Sequence, residues 1–157
     1  MRRTLIEEAT AAARAGDHAR AIELGDRAAA IRVSPSLRYL LAREHLALGH
    51  AVEALDHAGA CIARARGDAT VPDRDALLHR CEGIAREAER GVALLTVHVP
   101  SPAPEGLRVT VSGAPLDPAL LDISLPQTPG AVEVTREARG IQDQEHGIGP
   151  RLPRHAA

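Results

Sequence analysis

The chain has 157 residues, 45% of them hydrophobic, with 21 acidic side chains against 19 basic ones and a formal net charge of -2. It has no Lys, Asn, Trp or Phe and one Tyr. Without Lys it cannot be a P-loop NTPase, an ordinary protein kinase or a Schiff-base enzyme. Without aromatic faces or a basic surplus it has no footprint for nucleic acid. Its longest strongly apolar run, 92–99, is strand length and far below the roughly 20 residues of a membrane-spanning helix. The N-terminus is basic but meets Glu7 and Glu8 at once, with no apolar leader after it. A complete chain of this kind is expected in the cytoplasm. One that has lost an upstream signal is expected in the periplasm or cell envelope.

Residues 1–91 are rich in Ala, Leu, Arg and Glu, and their spacing predicts five helices. The first covers about 3–15 and is ended by Gly16. The second covers about 18–32 behind Asp17, a good N-cap. The third covers about 35–48, with Ser34 as cap and Pro35 at the first helical position. The fourth covers about 50–66 and is ended by Gly67. The fifth, 73–90, opens at 70–73 and carries an apolar stripe of Leu77, Cys81, Ile84 and Ala88. Gly91 is expected to close it in the left-handed conformation.

A repeat runs through the first four helices. The segment 16–22 (GDHARAI) aligns with 49–55 (GHAVEAL) at an offset of 33. Small residues then stand at matching places: Ala9, Gly16, Ala21 and Ala28 in one unit, Ala42, Gly49, Ala54 and Cys61 in the other. Small side chains at fixed places allow helices to approach closely. On these residues the region resembles a tetratricopeptide repeat (TPR) protein, whose unit is a helix pair of about 34 residues. Leu5 and Arg38 replace the usual Trp, and Ala12 and His45 the usual Tyr. The resemblance implies two stacked antiparallel helix pairs with helix 73–90 as a cap. It implies a partner-binding face lined by Glu8, Ala12, Arg38, Leu41 and His45.

Residues 92–157 hold nine of the eleven prolines and turn to Val/Thr alternation. Leu95, Val97 and Val99 share one face of a first strand. Residues 107–112 and 131–135 alternate strictly, and 120–125 is a further short strand. Half-buried alternation of this kind suits an antiparallel sheet. Pro104-Glu105-Gly106-Leu107, the strand-turn 109–113 and Pro129-Gly130 are similar to the PEGA domain, which follows TPR segments in myxobacterial envelope proteins. The resemblance implies a small β-sandwich-like module over 92–140. Residues 141–157 are polar and broken by Gly and Pro, which predicts a disordered tail.

Little in the sequence points to bond-making chemistry. There is no GxSxG, HExxH or CxxC motif. His57 and Cys61 lie four apart on one helix face, and with His79 and Cys81 form a conceivable zinc set. The alternatives are two buried thiols or a Cys61–Cys81 disulfide. The overall reading is an α+β, non-enzymatic interaction or scaffold protein. It needs no cofactor or metal, and its partner is a protein or peptide. The alternatives are a structural fragment of an envelope assembly and a His/Cys zinc protein.

Overall fold

The computed structural model describes residues 1–138 and the backbone of 141–146. The chain is α+β and divides into two compact units, 1–91 and 92–157. The first unit contains α1 (Arg2–Arg14), α2 (His18–Ile31), α3 (Pro35–Ala47), α4 (Ala51–Gly67) and α5 (Arg74–Glu89). Each helix packs on the next, and α3 also meets α1 and α5. Among the described residues no helix is long and apolar enough to cross a membrane.

The helix ends follow from local chemistry. Asp17 Oδ1 accepts from the Arg20 amide at 3.1 Å, and Ser34 Oγ from the Leu37 amide at 3.3 Å. The α1–α2 and α3–α4 turns are copies of each other at the offset of 33. Gly16 and Gly49 are left-handed, with φ of 78° and 75°. The Asp17 amide donates to the Ala12 carbonyl at 3.0 Å, and the His50 amide to the His45 carbonyl at 2.9 Å. Gly16 donates to Ala13, as Gly49 does to Leu46. Both turns thereby satisfy the orphan carbonyls of the preceding helix in the Schellman pattern.

Close packing explains the small residues. Ala9, Ala21, Ala28, Ala42, Ala54 and Cys61 have no solvent exposure. Leu5, Leu24, Leu37, Leu40 and Leu41 fill the space around the first pair. Cys61, Leu77 and Cys81 form a second cluster with Tyr39, Ile62 and Val71 against it. A Cβ on Gly25 would lie 2.7 Å from Leu41 Cδ2, so α2 approaches α3 through a missing side chain. Gly91 departs from expectation because it is not left-handed. It is required for space, since a Cβ there would lie 2.8 Å from that of Ala51. Before α5, Asp73 is left-handed and caps nothing with its side chain. Asp68 orders that approach instead, accepting from the Thr70 amide and hydroxyl.

The second unit holds two antiparallel sheets. β1 (Ala93–Thr96) pairs with β4 (Ser124–Gln127), Ala93 opposite Gln127. β2 (Arg108–Val111), β3 (Ala114–Pro115), β5 (Glu133–Ala138) and β6 (Ile141–His146) form a sheet in the order β3-β2-β5-β6. Two expectations are corrected here. The segment 120–125 is not one strand: Pro118–Leu120 is a 3-10 turn, Asp122 has φ of 61°, and pairing starts at Ser124. Residues 141–146 are not disordered but pair with β5 from Ala138–Ile141 to Glu133–His146. Ladder bonds join backbone groups, so a polar, aperiodic segment can occupy the edge that β5 leaves open. The rest of the expected tail, 147–157, lies outside the described residues. Ala93 and Val109 are the buried hydrophobic side chains described in this unit.

Candidate functional site

Of the five residues expected to line a partner-binding face, one is not on the surface. Glu8 is exposed on α1 and Ala12 half-buried on the same helix. Leu41 is 1% exposed and belongs to the core against Gly25. It has no surface to offer a partner and is removed from the face. Arg38 and His45, one on each side of it along α3, are partly buried and engage α4.

There they meet residues that the repeat motif did not single out. Arg38 Nη1 lies 2.9 Å from His57 Nδ1. A guanidinium can only donate, so His57 Nδ1 accepts and the neutral ring carries its proton on Nε2. The His45 ring stacks on His57 at 5.3 Å with 14° between planes, and tilts against His50 at 5.6 Å. His45 and His50 bring their Nδ1 atoms to 3.4 Å. Asp56 Oδ2 stands 3.9 Å from Arg38 Nη1.

The charges act in a consistent direction. Burial pushes the His57 imidazole below its usual range, helped by Arg38 and His45 and opposed by Asp56 and Asp26. Burial also lowers His45. Glu53 opposes that shift, His50 adds to it, and Asp26 opposes it. Both rings are therefore neutral at neutral pH and open to hydrogen bonding.

The repeat makes this cluster stand out. Subtracting 33 from Arg38, His45 and His57 gives Leu5, Ala12 and Leu24. Leu5 and Leu24 are core residues of the first pair. The same layer is thus leucine against leucine in one pair and arginine against histidine in the other. Placing polar groups in a packed layer is unfavourable unless they are partnered. Departures from local folding rules of this sort gather at functional sites. The sequence contained the signal for His57: the offset that aligns Gly16 with Gly49 also aligns Leu24 with His57.

The conceivable zinc set does not assemble. Cys61 and Cys81 are joined in a disulfide between α4 and α5, with Cα atoms 6.4 Å apart, so neither sulfur is a free thiolate. His57 is engaged by Arg38, and His79 is exposed. Among the described residues no three His, Cys, Asp or Glu are placed to hold a metal. One charged side chain is buried among the described residues: Glu44, held by His18 Nδ1 and Arg43 Nε, both at 2.6 Å. It ties the start of α2 to α3.

The strand unit has features of its own. An open groove of about 710 Å³ lies over Arg108, Thr110, Thr135 and Glu137, with Leu116 and Leu121 among its lining. His98 Nδ1 pairs with Asp122 Oδ1 at 2.9 Å, two residues from Ser124. The Ser124 hydroxyl bonds to Thr96 at 2.8 Å rather than to the histidine. The pair is exposed to water, where such a contact adds little.

Comparison of the chain with protein-family models, curated proteins and solved structures finds no match.

Proposed function

We propose that this protein is a non-enzymatic interaction or scaffold module whose helical unit works as a TPR-like surface. The observation that carries this reading is the Arg38–His45–His57 patch, set into a layer that the duplicated frame fills with leucine in its first copy. A partly buried arginine with unused donors beside neutral imidazoles suits a polar or acidic group on a protein or peptide. The strand unit is read as an accessory module similar to the PEGA domain. The test is capture from native lysate on the full chain, wild type against Arg38→Glu, with circular dichroism to verify folding. About tenfold less of one partner on the folded variant is expected. Equal capture would move the function off this patch, and no specific partner on wild type would reject the reading.

A second reading, placement in a larger cell-envelope assembly, is supported by the Cys61–Cys81 bond. Buried disulfides belong to oxidising compartments. Alkylation of thiols in freshly lysed native cells tests it. Both cysteines protected is the expected result, and both labelled would reject the envelope.

A further inference from the structure

The interaction surface proposed above has a chemical peculiarity in its central bond. Arg38 is fastened to α4 through a lone pair on His57 Nδ1. That lone pair exists only while the ring is neutral. A protonated imidazole has N–H groups on both sides and accepts nothing. Acid would then turn a donor–acceptor contact into two cations facing each other at the same separation.

The neighbours make the change directional. From α3, His45 stacks on His57, so charging either ring disfavours charging the other. His50, beside His45 at the cap of α4, adds a third imidazole. From α2, Asp26 acts on both rings, and Glu53 of α4 acts on His45. Asp56, also on α4, already pairs loosely with Arg38 at 3.9 Å and can draw it closer, since its side chain is 77% exposed. When His57 is charged, Arg38 has a carboxylate within reach on the solvent side. The first helix pair has no counterpart, because Leu5 and Leu24 do not titrate.

We propose that Arg38 and His57 form a proton-operated latch at the α3–α4 contact, with Arg38 bonded to His57 while that ring is neutral and transferred to Asp56, one residue earlier on the same helix, when it is protonated. This assignment concerns regulation of the surface proposed above and rests on that reading for its biological purpose. Its chemistry can be tested without a partner. Mild acid swings a cation from the helix interface to the rim and changes what the face presents.

The test is a histidine titration of the full chain by heteronuclear NMR, from about pH 8 to about pH 5, on wild type, Arg38→Gln and His57→Gln. At the alkaline end His57 should carry its proton on Nε2 and show an unprotonated Nδ1. It should titrate below the ordinary imidazole value of about 6.5. Its midpoint should move up in Arg38→Gln, which lacks the opposing charge. The melting temperature of wild type should drop on acidification. In His57→Gln, where an amide oxygen accepts from Arg38 at any pH, the drop should be smaller.

A proton found on Nδ1, a midpoint unmoved in Arg38→Gln, or an equal melting drop in His57→Gln would each overturn the latch. If a variant fails to fold, the wild-type tautomer and midpoint still decide. The two readings fail separately. Partner capture that survives while the titration fails removes the latch alone. A normal titration with no specific partner removes the interaction reading and leaves the latch.

Discussion

The two helix pairs share one backbone plan and differ in one layer. Both turn through a left-handed glycine with the same pair of backbone bonds. Both bury small residues where the helices touch. The first pair fills this layer with Leu5 and Leu24, the second with Arg38 and His57. The turns and small residues therefore set the shape of the frame, and this one layer is where the two pairs part. A leucine layer only stabilises. An arginine–histidine layer holds the helices together through a contact that pH can alter.

Substitutions can break this comparison, and the largest effects belong to the shared frame. Leu41→Ala should lose about 3 kcal/mol by urea denaturation, because it empties the space against Gly25. A loss below about 1 kcal/mol would place Leu41 outside the core. Replacing Cys61 and Cys81 together with Ala should lose about 2–3 kcal/mol, since their bond closes a loop with sequence separation 20. An unchanged denaturation midpoint would show that helix packing alone retains α5.

The variable layer should give smaller effects and the more informative sign. Grafting the first pair onto the second, as Arg38→Leu with His57→Leu, should stabilise the chain by about 1 kcal/mol, because desolvated polar pairs often yield to hydrophobic ones. Destabilisation by that double variant would contradict the equivalence of the two layers.

The pH response has a definite sign. His45 and His57 are lowered in the folded chain. Just below pH 6.5 the unfolded chain therefore binds more protons than the folded one. Their stabilisation is complete above the unfolded value and declines as pH falls through it. It stops declining once the folded rings are also charged. With solvent screening, the whole effect should stay below about 1 kcal/mol, read from melting temperatures across that window. The smallest change should come from Arg66→Ala, which cuts an exposed pair with Glu82 and should alter stability by less than about 0.5 kcal/mol.

The helical frame was legible in the sequence because punctuation there is local. Gly16, Ser34-Pro35 and Gly49 act on the backbone beside them, and an offset of 33 needs no tertiary knowledge. Gly91 looks like a left-handed stop from its neighbours alone, because its close approach to Ala51 is non-local. Leu41 has the position of a surface residue in the motif, which specifies a helix but not the angle at which Gly25 lets α2 come in. The site was half legible. Arg38 and His45 occupy motif positions, whereas His57, four residues before Cys61, has the spacing of a ligand pair and needs the offset of 33 to show its partner. In the strand unit, alternation located β2 and β5. It could not find β6, whose pairing depends on an edge left open by β5 and on no pattern of its own.

The bond between α4 and α5 gives the row of helices a polarity. Neighbouring helices in such a row hold one another in sequence, so the row can come apart from either end. Here one end is covalently clamped and the other, at α1, is not. Unravelling should start at α1 and travel towards α4, where it stalls. Amide exchange should follow that gradient, and a pulling experiment should meet its last resistance at the clamp.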